Sequence, residues 1–293
     1  MINASVSFLS KTPCELGEGP FYCERRETLY WFDIVGRKRH AFDFKSRLET
    51  HQSIPEMASA MAVIDERHDL VFTESGLWRL ELGTGCWIPV CNIEVDDDKT
   101  RSNDARVHPS GAMWLGTMGK SAETGAGAIY HYRAGTVTKL FSDITIPNAI
   151  CFSPAGDIAY FTDTKTGKLM RVSVNVDDGL PVDKPEVHFA QPEDDVGGID
   201  GAVCDRDGRV WNARWGAACV DVYTPEGKRT ESIELPVSQP SCPAFVGANR
   251  MAVTSAFEGM DATARNADSD AGRVVLLDFE IPIKPRFEPR VVI

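Results

Sequence analysis

One pattern, written about six times along the chain, constrains the fold more than any other feature. It reads as an apolar strand, a tight turn, a second apolar strand and usually a third. The copies are EGPFYCERRETLYWFDI from Glu18, MAVIDERHDLVFTES from Met61, NDARVHPSGAMWLGTM from Asn103, NAICFSPAGDIAYFTDT from Asn148, DGAVCDRDGRVWNARW from Asp200 and PAFVGANRMAVTSAF from Pro243. They recur every 40–50 residues or so, the spacing of propeller blades. The strands are rich in β-branched and aromatic residues and are flanked by turn residues. The turns His108–Gly111, Ser153–Asp157, Asp205–Gly208 and Thr224–Lys228 each combine Pro or Asp with Gly, which supplies a pre-set φ followed by a permitted positive φ.

No amphipathic helix of ten or more residues is legible, which removes the α/β folds that need a helix between strands. A sandwich, a barrel and a propeller remain. Four strands per period favour an all-β, six-bladed propeller of four-stranded antiparallel blades, with residues 1–293 as a single domain. The segment ASVSFLS, ahead of Glu18, is expected to add the last strand to the sixth blade, removing sheet edges. Lys120–Ala126, Val176–Gly198 and Gly259–Gly272 read as loops.

A net charge of −12 speaks against nucleic acid or an anionic membrane as partner, since either would need a basic patch. No run of about 18 apolar residues predicts a membrane-spanning helix. The N-terminus lacks the basic start and apolar stretch of a signal peptide, so a cytoplasmic location is expected. The eight cysteines form no C-x-x-C pair; they read as buried free thiols in a reducing compartment, and their spacing does not point to a thiolate metal site. Cys86 and Cys91 are close enough in sequence to bridge. The six histidines show neither H-x-H nor H-E-x-x-H spacing, and no G-x-S-x-G elbow or dinucleotide fingerprint is present.

The candidate site lies at the entrances of the repeats. Glu18 precedes a Gly-Pro, Asn148 follows Pro147 and Asp200 precedes Gly201. In a propeller these are the starts of the strands that line the central channel. Two carboxylates and a carboxamide there suit Ca²⁺, Mg²⁺ or Mn²⁺, with positions left for water. Taken singly, each such residue is as well explained as a turn cap. Arg101 and Asn103, at the third entrance, offer a donor fork and a donor–acceptor pair for a hydroxyl-rich ligand. Alternatively, Arg101 pairs with the acidic run Asp96–Asp98 on the surface. Asp104 is expected to order the turn or orient Arg101.

These segments resemble the SMP-30/gluconolactonase/regucalcin-like (LRE-like) family over nearly the whole chain. The resemblance rests on LGEGP at Leu16–Pro20, RSNDARVHPSGAMWLGTM at Arg101–Met118, IPNAICFSPAGDIAYFTDT at Ile146–Thr164, the stretch Gly197–Lys228 and SCPAFVGANRMAVTSA at Ser241–Ala256. It implies one divalent metal in the propeller channel, held by Glu18, Asn148 and Asp200, with Ca the ion expected in a structure and Zn, Mg and Mn as alternatives. It also implies substrate contacts from Arg101 and Asn103, and Asp200 as general base. The implied activity is metal-dependent hydrolysis of a sugar lactone, such as gluconolactone, to the aldonic acid, in a monomer or weak homo-oligomer. The rival reading is a regucalcin-like calcium-binding regulator without catalysis. Many family members carry an acidic sugar contact after GTM where this chain has Gly119-Lys120-Ser121, and EGPFY departs from the more usual E-G-P-x-W.

Overall fold

A computed structural model describes residues 2–293. It contains six four-stranded antiparallel sheets, the blade set of a six-bladed β-propeller. The chain divides into two compact units: Met1–Pro55 with Gln191–Phe287, and Glu56–Ala190 with Glu288–Ile293. The first unit holds blades 1, 5 and 6, whose first strands are Gly17–Cys23, Gly198–Cys204 and Pro240–Val246. The second holds blades 2, 3 and 4, which begin with Ala58–Val63, Thr100–Val107 and Pro147–Phe152. As the sequence suggests, Ala4–Phe8 completes blade 6, pairing antiparallel with Val275–Phe279.

The inner strands of a blade are buried and the fourth is exposed. Thr28–Asp33 and Pro147–Phe152 are buried along their length, whereas Leu48–Ser53, the fourth strand of blade 1, is almost wholly exposed. Each unit packs its blades face to face around aromatic anchors. Trp211 is fully buried and meets Phe245 and Phe279 edge-on at 6.2 and 5.6 Å, while Trp114 does the same with Phe152 at 5.5 Å. Burying one such ring contributes about 1.5–3 kcal/mol.

All four predicted turns form. The amide of Gly111, Gly156, Gly208 and Gly227 donates to the carbonyl three residues earlier, at 2.8, 3.0, 3.0 and 2.9 Å, and each glycine has a positive φ. Two expected loops carry regular structure. Val176–Gly198 contains Glu186–Ala190, the fourth strand of blade 4; its polar, Pro-flanked sequence hides it because an outer strand has little to bury. Gly259–Gly272 contains the six-residue helix Ala262–Ala267, capped by Asp261, whose carboxylate accepts from the Ala264 amide. All eight cysteines are free, so Cys86 and Cys91 do not bridge.

One irregularity recurs in every blade. The pairing of first and second strands slips one to three residues in, after Glu18, Ala58, Ser102, Asn148, Ile199 and Pro240. Such bulges re-aim side chains at a sheet end. In blades 1 and 4 the first residue inside the slip is left-handed: Gly19 has φ 55° and Ala149 has φ 54°. Alanine there costs about 1 kcal/mol, a strain carried directly beside Asn148.

Candidate active site

The bulges sort the predicted residues into two registers. Glu18 and Asn148 are the last paired residues before the slip, opposite Phe32 and Thr162. Asp200 and Asn103 lie one position further on, inside the slip itself. The four side chains are thus delivered by one device used in two phases.

Acidic residues at the ends of the second strands hold these entrances. Asp33 accepts from the amides of Glu15 and Leu16 at 3.2 Å each, and Asp163 accepts from Thr145 at 2.9 Å and Ile146 at 3.1 Å. In blade 2, Glu74 accepts from Met57 at 3.0 Å. Each carboxylate satisfies backbone donors left free where the first strand begins. The signal was present in the sequence, in the acid that closes LYWFD, LVFTE and IAYFTD.

In the second unit the predicted residues form one relay. Arg101 Nη1 donates to Asn103 Oδ1 at 2.8 Å and to the Ser102 carbonyl at 2.8 Å. Asn103 Nδ2 donates to Asn148 Oδ1 at 2.9 Å and to the Pro147 carbonyl at 3.0 Å. Asn148 Nδ2 in turn donates to Thr164 Oγ1 at 3.0 Å, and Ser59 Oγ donates to the Asn103 carbonyl. Arg101, Asn103 and Asn148 are all buried. Arg101 thus directs Nη1 inward to Asn103. The relay fixes both amides: Asn148 must present Oδ1 to Asn103, and one lone pair of that oxygen remains.

Asp104 behaves differently from its expected role. Its Oδ2 accepts from the Ile150 amide at 2.7 Å and its Oδ1 lies 3.9 Å from Arg106 Nη2, so it ties blade 3 to blade 4. Arg106 is held in turn by Glu288 at 2.5 Å. Burial raises the Asp104 pKa from 3.8 to about 6, against the opposing pull of Arg106 and the Ile150 amide. The folded state therefore keeps a proton that the unfolded chain releases near pH 4. Stability contributed at Asp104 should fall as pH rises from about 4 to about 6. Asp104→Asn should remove that slope while keeping an acceptor for Ile150. Denaturant midpoints of the two proteins across this range test it: a constant difference would refute it.

In the first unit Glu18 is partly exposed and its Oε2 accepts from the Gly19 amide at 3.0 Å. Asp200 is buried. Asn212, not singled out in the sequence, steadies the Asp200 backbone: its Nδ2 donates to the carbonyls of Asp200 at 2.7 Å and Gly201 at 3.1 Å. Asn212 Oδ1 is buried and finds no hydrogen-bond partner among the described residues.

Glu18 and Asp200 in the first unit and Asn148 in the second each offer oxygen, the donor type that a hard divalent cation takes, and the Asn148 amide oxygen is already oriented. No helix among the described residues is long and apolar enough to cross a membrane.

Known proteins place this architecture. The family model of the SMP-30/gluconolactonase/LRE-like region matches residues 16–257. A Rhizobium meliloti (strain 1021) protein with the provisional name sugar lactone lactonase is 47% identical over 283 residues, spanning 96% of this chain and 95% of its own. The L-arabinolactonase of Azospirillum brasilense is 33% identical over 274 residues, covering 92% and 90%. The crystal structure of a calcium-binding protein, regucalcin, from Agrobacterium tumefaciens str. C58 superposes with a TM-score of 0.96 at 44% identity, covering 99% of this chain and 98% of that one. With a matched segment that takes in the first strands of all six blades, the chain belongs to the SMP-30/gluconolactonase/LRE-like family.

Proposed function

We propose that this protein is a sugar-lactone hydrolase that opens an aldonolactone to its aldonic acid, with a divalent metal held by Glu18, Asn148 and Asp200. The observation that carries the reading is the buried relay from Arg101 through Asn103 to Asn148. It joins a guanidinium suited to a hydroxylated ligand to the amide oxygen suited to a cation, and a protein that only buffered calcium would not need the guanidinium. Relatives named as lactonases, including one that acts on arabinolactone, support the substrate class.

When bound, the ion supplies a Lewis acid for the lactone carbonyl and charge for the tetrahedral oxyanion. The chain's own residues do the rest. The Asp200 carboxylate takes a proton from the attacking water and returns one to the ring oxygen as the carbonyl carbon–oxygen bond breaks. Arg101 donates to ring hydroxyls. Asn103 Oδ1, with one lone pair on Arg101, keeps a second for a substrate hydroxyl. Backbone support from Asn212 keeps Asp200 in place.

The likeness to a calcium-binding regucalcin favours a second reading, ion binding without turnover. A pH-indicator screen of arabinono-, xylono-, galactono- and gluconolactones with a panel of divalent metals separates the two. Metal-dependent acid release, abolished by a chelator and restored by the ion, is expected. Ion binding without turnover on any lactone would establish the second reading instead.

A further inference from the structure

Blade 1 contains a buried cluster that the lactonase reading does not use. Cys14 precedes the first strand, Asp33 ends the second strand Thr28–Asp33, and His40 lies in the third, Lys38–Asp43. One ligand-type atom from each lies within 4.8 Å of the others, and Cys14 Sγ is 3.7 Å from His40 Nε2. Cys14 and His40 are wholly buried and Asp33 is 5% exposed. We propose that Cys14, Asp33 and His40 form a second metal site, of the sulfur–nitrogen–oxygen type that zinc takes, inside blade 1.

The geometry is already close to what such an ion needs. Ligands about 2.0–2.3 Å from tetrahedral zinc stand roughly 3.3–3.8 Å from each other, and the Cys14–His40 separation falls in that window. Asp33 is fixed for the role. It accepts from the amides of Glu15, Leu16 and Gly36, at 3.2, 3.2 and 3.0 Å. A carboxylate has about four acceptor sites, so one remains for a cation.

In the same cluster, His40 Nδ1 is buried and has no hydrogen-bond partner among the described residues. Trp31 is fully buried and stacks on His40, with ring centroids 5.2 Å apart and planes 17° apart.

Blade 4 shows that the fold does not require this chemistry. Asp163 caps the entrance of blade 4 as Asp33 caps that of blade 1. His40 pairs with Trp31 in register, and Met170 pairs with Phe161 in the same slot of blade 4. Counting back from the capped amides, Ile144 stands where Cys14 does. In blade 4 the places of Cys14, Trp31 and His40 are therefore taken by Ile144, Phe161 and Met170, packed in or against ordinary core. Blade 1 replaces two of those three with metal-ligand types, around the carboxylate that both blades share.

Binding releases the thiol proton of Cys14, and the bond formed is thiolate to metal. The test is to produce the full chain in cobalt-supplemented medium and record its absorption spectrum. A thiolate-to-cobalt charge-transfer band in the near ultraviolet, with tetrahedral visible bands and about one such ion per chain, is expected. Asp200→Asn should leave the band intact, separating this site from the proposed active site; Cys14→Ser should abolish it and lower bound metal by one ion per chain. A cobalt-loaded protein without the band, or a band unchanged in Cys14→Ser, overturns the proposal. Should Cys14→Ser fail to fold, X-ray absorption at the zinc edge of the wild-type protein decides. A sulfur scatterer at about 2.3 Å supports the site, and a shell of nitrogen and oxygen alone rejects it.

Discussion

Replacing Asp200 with asparagine should lower kcat on sugar lactones by on the order of a thousandfold, within the 10²–10⁴ range that general-base catalysis supplies. The substitution keeps the shape of the side chain and one oxygen for a cation, but removes the group that takes the proton from water. The fold should survive, because the asparagine is isosteric and the anchor from Asn212 to the backbone carbonyls of Asp200 and Gly201 is kept. Melting temperature should therefore stay within a degree or two while turnover collapses. KM should change far less than kcat, because Arg101 and Asn103 are untouched. A variant with wild-type turnover would remove Asp200 from the mechanism. A variant inactive only because it no longer holds metal would be rescued by raising the metal concentration, which a missing base would not allow.

Arg101→Lys gives a contrasting result. Lysine keeps the charge but not the planar fork. Loss of the Nη1 bond to Asn103 should free the amide that orients Asn148 Oδ1. Both KM for lactone and the metal requirement should then rise, whereas a residue that touched only substrate would move KM alone. Substrate saturation measured at several metal concentrations distinguishes the two.

The blades were legible because strand and turn chemistry repeat: a buried second strand and a Pro/Asp–Gly turn recur with enough regularity to be counted. Glu186–Ala190 was not legible, because an outer strand is written in polar residues that also write loops. The residues of the candidate site could be chosen from their place in the repeat, but their register could not. A bulge is a property of pairing, so nothing in EGP or PNA says which residue is the last to pair. The relay through Asn103 was hidden for a related reason. Asn103 and Asn148 are 45 residues apart, and only the packing of blade 3 against blade 4 makes them neighbours. The Cys14–His40 pair escaped a search for short metal-ligand spacings in the same way, because antiparallel strands bring together residues 26 positions apart.

Asp221→Ala should be the most destabilising single change in blade 5, costing about 3–5 kcal/mol. Arg214 is 1% exposed and its Nη1 donates to Asp221 Oδ2 at 2.6 Å, while Asp221 is itself 1% exposed. Arg229 Nη1 and the Tyr223 hydroxyl reach the same carboxylate oxygen, each at 3.2 Å. Removing that carboxylate leaves a buried guanidinium with Asp195, at 3.3 Å, as its remaining carboxylate partner within this network. The cost is that of a buried charge whose buried partner is gone and which keeps only the more exposed Asp195, so it should largely vanish in the double variant Arg214→Met/Asp221→Leu, which replaces both charges with apolar groups of similar bulk. Asp195→Ala should cost far less, about 1 kcal/mol or below, because Asp195 is 20% exposed and Asp221 still neutralises Arg214. Denaturant unfolding of the three variants gives the ordering, and a double variant as unstable as Asp221→Ala would refute the argument. The cluster also bears on catalysis through position. Arg214 Nη2 holds the Val196 carbonyl at 2.9 Å, and Gln191 Nε2 closes the same loop through the carbonyls of Asp195 and Gly197. That loop feeds directly into Gly198–Cys204, the strand that carries Asp200. In Asp195→Ala the fold should survive, but the loop loses its two arginine anchors at Asp195, so kcat should fall severalfold at a nearly unchanged unfolding midpoint. Loss of stability without loss of rate would confine the cluster to a structural role.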